Sequence, residues 1–240
     1  MQNVVRQLES KGFAVLPDVF DQLAIEHLID GVSQIEPQSG VRTRTGVYAV
    51  RNLLELSPAA ATLAASGTLR SIVEEYLAPA AFPVRGTLFD KTEGANWLVP
   101  WHQDLTICVE GRIDVPGYGP WSTKAGVWHV QPPASVLEQM LSVRIHLDDC
   151  REDNGALRVL PGTHRLGRLD AEEIARLQGS RPSTLCAVGA GGVLLMRPLL
   201  LHASSAATKA AHRRVIHIDY ARSPLDGGLV WRAAALSRQP

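Results

Sequence analysis

The sequence predicts a mainly β domain, either a sandwich or a jelly roll, that follows a helical N-terminal part. From residue 84 onward, short β-rich runs alternate with Gly, Pro, Asn and Asp. The connections between these runs are irregular, which is typical of sandwiches and jelly rolls. Up to about residue 80, apolar residues instead recur near the helical period. One domain is expected for residues 1–240, because single all-β domains often reach this length.

The first expected elements are a helix, a strand and a second helix. Apolar residues at helical spacing predict a helix over residues 2–11, which Gly12 ends before the apolar strand 13–16. Asp21 is suited to cap the second helix, because its carboxylate can accept hydrogen bonds from first-turn amides.

The remaining N-terminal elements are helical. Gly31 and Pro37 are expected to disrupt the second helix. A third amphipathic helix should cover residues 58–76, with a break near Gly67.

A jelly-roll core is expected over residues 84–222. Six β-rich runs predict its strands, at residues 84–89, 141–147, 156–160, 185–188, 192–196 and 214–221. A long insertion at 110–133 is rich in Gly and Pro but also contains Trp121 and Trp128. We expect it to form a lid or one wall of a pocket. The alternative is a surface loop whose tryptophans fill a local gap.

Composition points to a small-molecule partner. Basic and acidic residues both number 24, so no strong field draws the chain to nucleic acid or to an anionic membrane. No apolar run approaches the ~20 residues of a spanning helix, and the first residues do not resemble a signal peptide. Three scattered cysteines fit buried thiols in a reducing compartment. A cytoplasmic protein is therefore expected.

Three H-x-D motifs are candidate metal sites. Iron(II) in oxygenases is commonly held by two histidines and one carboxylate, and residues i and i+2 of an extended chain project to one side. The motifs are His102-Gln-Asp104, His146-Leu-Asp148 and His217-Ile-Asp219. The tripeptide alone therefore does not choose among them.

The surroundings of each motif differ. His146 lies on the polar face of an alternating strand, and that face either lines a site or meets water; His217 lies in a similar strand. His102 instead follows the apolar W-L-V-P-W segment and precedes Leu105 and Ile107. An unpaired charge there would be costly, and a metal is the natural compensation. This favours His102 and its Asp104.

His202 is the candidate third ligand. By itself, a histidine ending an apolar strand is more often a hydrogen-bonded core residue. Arg213, however, follows eleven residues later, and a hairpin would return its guanidinium towards His202 to bind a carboxylate. Arg214 is the rival, but alternation places the two arginines on opposite faces.

Five segments together resemble one family. They are G-F-A-V-L-P-D-V-F at 12–20, W-H-Q-D at 101–104, R-I-H-L-D-D at 144–149, N-G-A-L-R-V-L-P-G-T-H at 154–164, and L-H-A-S with H-R-R-V-I-H-I-D-Y at 201–220. The chain resembles the phytanoyl-CoA dioxygenase (PhyH) family of iron(II)/2-oxoglutarate oxygenases. The resemblance implies a double-stranded β-helix, a cupin-like jelly roll with flanking helices.

The resemblance also implies site roles. His102, Asp104 and His202 match the family's iron ligands, while Arg213 and Ser204 match residues that bind the distal carboxylate of 2-oxoglutarate. Other candidates have structural alternatives: Lys91 and Asn96 for the co-substrate, and His129, Gln131, Arg144 and His217 for the substrate. His146 and His164 are expected to be structural.

The implied reaction uses Fe(II), 2-oxoglutarate and O2, and releases succinate and CO2 while a small organic molecule is hydroxylated. Related halogenases carry a small residue in place of the carboxylate, so Asp104 favours hydroxylation; desaturation or ring formation stays open. Two rival functions are a non-catalytic cupin-like binding protein and a zinc-dependent hydrolase. The latter lacks a clearly placed general base.

Overall fold

The structure is a computed structural model that describes residues 2–36, 40–43, 47–92, 96–208 and 212–233. Within these ranges, the helices are α1 Gln2–Lys11, α2 Gln22–Ser33, α3 Leu53–Leu56, α4 Pro58–Ala64, α5 Gly67–Tyr76, α6 Ala134–Leu137 and α7 Ala171–Ser180. Pro37 lies outside the described residues. No described helix has the length and apolarity needed to cross a membrane.

Two sheets form the halves of a jelly roll, and a third is smaller. The strands are β1 Phe13–Leu16, β2 Val41–Thr43, β3 Val47–Arg51, β4 Phe82–Lys91, β5 Val99–His102, β6 Ile107–Val109, β7 Trp121–Lys124, β8 Val127–Val130, β9 Met140–His146, β10 Leu157–Val159, β11 Thr184–Cys186, β12 Val193–Met196, β13 His202–Ser204 and β14 Arg213–Ala221. The major sheet has the order β1-β12-β9-β14-β4-β3-β2, and the minor sheet β11-β10-β13-β5. Their strand pairs are antiparallel.

The major sheet separates an apolar face from a polar one. On β9, Val143 and Ile145 are fully buried in the core that the helices cover. Ser142 and Arg144 alternate with them and face the other way. Both are buried as well, so the polar face of this strand lines the interior rather than meeting water.

The helices follow the expected pattern with one correction. Asp21 caps α2 by accepting a 2.8 Å hydrogen bond from the amide of Ala24, and the expected break near Gly67 separates α4 from α5. The prediction that Gly31 disrupts α2 is wrong, since the helix continues to Ser33. A Cβ at Gly31 would lie 2.6 Å from the Cβ of Ala59, so glycine permits close helix packing here.

The 110–133 segment contains regular structure. Its strands β7 and β8 pair with each other, and β8 also pairs with β6 to complete the third sheet. Trp121 and Trp128 meet edge to face, with ring centroids 6.2 Å apart. The three cysteines, Cys108, Cys150 and Cys186, are buried and free, as expected.

Truncation of the core beneath β9 should be costly. Ile145→Ala removes a fully buried side chain and should lower the free energy of unfolding by about 3–4 kcal/mol in urea denaturation. Leu23→Ala is the control, because Leu23 is 76% exposed, and should change it by less than about 0.5 kcal/mol. Equal effects of both substitutions would contradict this account of the core.

Candidate functional site

Two short strands bring three candidate metal ligands together. Strands β5 and β13 pair so that His102 stands opposite His202, with ring centroids 4.2 Å apart. Asp104 follows β5, and its amide donates to the carbonyl of Pro198 at 2.9 Å. Its carboxylate oxygens lie 4.0 Å from Nε2 of His102 and 3.7 Å from Nε2 of His202.

The protonation of both histidines follows from their backbone contacts. Nδ1 of His102 lies 2.8 Å from the carbonyl of Pro100, and Nδ1 of His202 lies 2.8 Å from that of Leu200. A carbonyl can only accept, so each Nδ1 carries a hydrogen, and Nε2 is the ring nitrogen that faces Asp104. Burial lowers the pKa of His202 to about 4, so this imidazole is neutral at pH 7.

The three ligand atoms therefore have the chemistry of a metal site. They lie within 4.8 Å of one another and comprise two imidazole nitrogens and one carboxylate oxygen. Histidine ligands characteristically donate their other ring N–H to a fixed acceptor, as both do here. Desolvation opposes ionisation of Asp104, yet attraction to His202, when that ring is protonated in acid, and to Arg85 holds its pKa below the usual value.

Gln103 fixes the segment between two of these ligands. Its Nε2 donates to the carbonyls of Gly167 and Leu199, both at 2.8 Å, and its Oε1 accepts from the amide of Leu169 at 2.9 Å. Local sequence patterns give no sign of this role, because the partners lie 64 to 96 residues away.

A cavity of about 550 Å³ opens beside these ligands. Most of the other expected site residues line it, namely Lys91, Asn96, His129, Arg144, Ser204, Arg213 and His217. Gln131 is not among the lining residues, and neither are His146 and His164. Both sheets contribute to the lining, so the cavity lies between the halves of the jelly roll.

Lys91, Ser204 and Arg213 form a cationic end of this cavity. Arg213 stands opposite Lys91 in the β4–β14 pair and donates to the carbonyl of Gly155 at 2.5 Å. Its buried Nε has no hydrogen-bond partner among the described residues. Lys91 donates to Oγ of Ser204 at 3.1 Å. Burial first, then repulsion from Arg213, lower the pKa of Lys91 to about 8.

Two neighbouring contacts shape that end. Gly155 has φ +78°, and an added Cβ would lie 2.6 Å from the carbonyl of Ser205 and 3.0 Å from Nζ of Lys91. The Asn96 side chain donates to the carbonyl of Ala207 at 2.7 Å and accepts from its amide at 2.6 Å. Asn96 thus holds the chain that follows Ser204.

The expected alternation of the two arginines is confirmed. Arg213 lines the cavity, whereas Arg214 does not. Arg214 binds Asp148 bidentately, with its Nε and Nη2 at 2.9 and 2.7 Å from the two carboxylate oxygens of Asp148.

A hydrogen-bond network fixes His217. Nη1 of Arg144 lies 2.9 Å from Nδ1 of His217. A guanidinium only donates, so Nδ1 accepts and Nε2–H donates to Asp219 at 2.9 Å. Asp219 also accepts from Ser142 at 2.6 Å and from Arg85 at 2.7 Å. The alternation of β14 predicts that Asp219 lies on this face. No local pattern predicts that Arg85 pairs with it.

His129 contributes to the cavity wall from the third sheet. Its Nδ1 donates to the carbonyl of Val127 at 3.0 Å, so Nε2 accepts from the thiol of Cys108 at 3.2 Å. Burial lowers the pKa of His129 to about 4, which makes this a neutral pair. Through His129, the 110–133 segment forms one wall of the cavity.

The role of Gln103 predicts a stability effect. Gln103→Ala would leave two buried backbone groups and one part-buried group without their hydrogen-bond partner, and should lower the free energy of unfolding by about 3 kcal/mol. Gln178→Ala, on the exposed face of α7, is the control and should have little effect in the same denaturation experiment. A loss below about 0.5 kcal/mol for Gln103→Ala would contradict the bracing role.

Known proteins resemble this chain in sequence or in fold. The chain is 26% identical over 156 residues to L-proline trans-4-hydroxylase of Streptomyces griseoviridis, a match spanning 54% of this chain and 50% of that protein. It superposes on the nogalamycin-biosynthesis carbocyclase SnoK with TM-score 0.73, at 15% identity over 100% of this chain and 91% of the other. It also superposes on EctD of S. alaskensis, solved with 2-oxoglutarate and 5-hydroxyectoine. The TM-score is 0.72, at 18% identity over 92% of this chain and 76% of the other. The family model of phytanoyl-CoA dioxygenase (PhyH) matches residues 8–215, and the chain belongs to this family.

Proposed function

We propose that the protein is an iron(II)- and 2-oxoglutarate-dependent dioxygenase that hydroxylates a small organic molecule. The observation that carries this proposal is the convergence of His102, Asp104 and His202 beside the cationic end of one cavity. A match to half of the proline hydroxylase and a fold shared with EctD are consistent with it. The cavity volume also suits a small ligand.

The residues of the site fit both iron(II) and 2-oxoglutarate. Two imidazole Nε2 atoms and one carboxylate on one side of a cavity suit iron(II), with positions left for other ligands. Arg213, Lys91 and Ser204 line the cavity and offer hydrogen-bond donors to a carboxylate. When bound, iron and 2-oxoglutarate would activate O2 and oxidise a C–H bond, with release of succinate and CO2.

The protein's own contribution is orientation and water exclusion. Arg213 would hold the distal carboxylate of the co-substrate, while the backbone bonds of His102 and His202 keep both rings aimed at one point. The third sheet, through His129, closes one side of the cavity.

Asp104 bears on the outcome of the reaction. Its carboxylate occupies the position that halogenases leave to chloride, so we assign hydroxylation rather than halogenation. SnoK, with the same fold, is a carbocyclase, and ring formation here is the second outcome to look for.

The rival functions are less well supported. A non-catalytic binding protein would not require the buried Arg213 and Lys91, which have no carboxylate partner among the described residues. A zinc hydrolase requires a general base near the metal. His129 and His217 are the other cavity histidines, and both are committed to hydrogen bonds.

The proposal is tested by anaerobic addition of iron(II) and 2-oxoglutarate. We expect the visible charge-transfer absorbance of the iron chelate in the wild-type protein. Absence of this band at saturating ligand would contradict the proposal, and substitution of His202 by Ala should abolish it.

The two adjacent arginines provide a matched pair of variants. Arg213→Met should raise the Kd for 2-oxoglutarate about 10- to 100-fold, the range for loss of charge-assisted hydrogen bonds. Arg214→Met should leave this Kd within about threefold, because Arg214 binds Asp148 outside the cavity. Titration of the chelate band measures both. Equal effects would rule out the anchoring role of Arg213.

Binding of 2-oxoglutarate should depend on pH through Lys91. Its pKa in the free protein is about 8, and a bound carboxylate raises that value. The contribution of Lys91 is therefore complete below pH 8. This contribution to binding is lost as the pH rises from 8, the pKa of Lys91 in the free protein, to the higher pKa of Lys91 in the complex. We expect weaker binding between pH 8 and 9.5, and a flatter profile for Lys91→Met; identical profiles would disprove the role of Lys91.

A further inference from the structure

Arg144 is a buried cation that the proposed iron and co-substrate sites do not use. It lies in the middle of the major sheet on β9, is 7% exposed and lines the cavity. Among the described residues, no carboxylate forms an ion pair with it. Its Nε is buried and has no hydrogen-bond partner in the part of the chain that the structure describes. A buried charge without an ion pair is costly unless a ligand compensates it.

The guanidinium is held in place by its neighbours. It donates through Nη1 to His217, whose own N–H is held by Asp219. It also lies over the ring of Phe89, with Cζ 5.8 Å from the centroid. His217 and Phe89 thus restrain the guanidinium, which lines the cavity. Arg144 is therefore oriented before any ligand binds.

Arg144 is near the metal ligands and also interacts with Arg213. Burial first, and then repulsion from Arg213, lower the pKa of Arg144 to about 10, so it stays charged at pH 7. Asp104 acts on it with the opposite sign. The guanidinium therefore belongs to the cavity that the metal ligands and the cationic end also line.

The charges of the site leave Arg144 uncompensated. Iron(II), Asp104 and the two carboxylates of 2-oxoglutarate would together carry one negative charge. Lys91, Arg144 and Arg213 carry three positive charges, whereas Arg85 is already paired with Asp219. Two cations at the cationic end suffice for the distal carboxylate. Three positive charges against one negative charge leave an excess of two, and Arg144 is the cation that the co-substrate leaves without an anion.

We infer that the substrate carries a carboxylate, and that Arg144 binds it beside the metal as the residue that determines specificity for acids. This inference rests on the proposed function and names the substrate class of the same site. Arg144 stands opposite His217 in the sheet. His217 is four residues from Arg213 along β14, which is roughly 13 Å of strand. Separate rows of the sheet therefore present two carboxylate sites, one for each anion.

Matched acids and amides test the inference. The anaerobic iron(II)–2-oxoglutarate complex is titrated with L-proline, L-pipecolate, L-alanine, phenylacetate and decanoate, each alongside its primary amide. Perturbation of the chelate absorbance gives each Kd. We expect the best acid to bind at least tenfold more tightly than its amide. In Arg144→Gln the acid should lose at least tenfold in affinity, while the amide and 2-oxoglutarate change by less than threefold.

Two further variants separate charge from packing. Arg144→Lys should keep part of the preference for acids that Arg144→Gln loses, because lysine retains the positive charge but not the forked guanidinium. Thr87→Val changes a neighbouring cavity residue in the same row and should retain the full preference.

Three outcomes would overturn the inference while the chelate band is present. They are equal binding of acids and amides, no binding by any acid of the panel, and a loss of 2-oxoglutarate affinity in Arg144→Gln as large as in Arg213→Met. The last outcome would assign Arg144 to the co-substrate. Absence of the chelate band in the wild type would instead refute the proposed function itself.

Discussion

The candidate site depends on the antiparallel pairing of β5 with β13. Each strand has only three or four residues, yet their register sets His102 opposite His202 and leaves Asp104 just beyond the strand end. Carbonyls two residues upstream of each histidine then fix both rings. Gln103 ties the intervening segment to two other chain regions. A shift of one residue in this register would turn the ligands away from one another.

A second constraint is the concentration of positive charge on the inner face of the major sheet. Arg85 is balanced by Asp219, whereas Lys91, Arg144 and Arg213 are buried without such a partner among the described residues. Their burial lowers stability in the absence of anions. The sheet therefore combines an apolar face that stabilises the fold with a polar face suited to anionic ligands.

Much of this arrangement was predictable from local sequence. The Asp21 cap, the break near Gly67 and the long strands β4, β9 and β14 follow from capping and alternation. Alternation also separated Arg213 from Arg214. What local patterns could not supply were contacts between distant segments. Strands β5 and β13 are too short to show a period, and the close packing of Gly31 on Ala59 depends on two separate helices.

The most direct test is a crystal structure of the protein grown without oxygen, with iron(II) and 2-oxoglutarate. The account predicts a metal ion bound by Nε2 of His102, Nε2 of His202 and the Asp104 carboxylate, with the distal carboxylate of 2-oxoglutarate on Arg213. A metal bound elsewhere, or a co-substrate that does not contact Arg213, would contradict it.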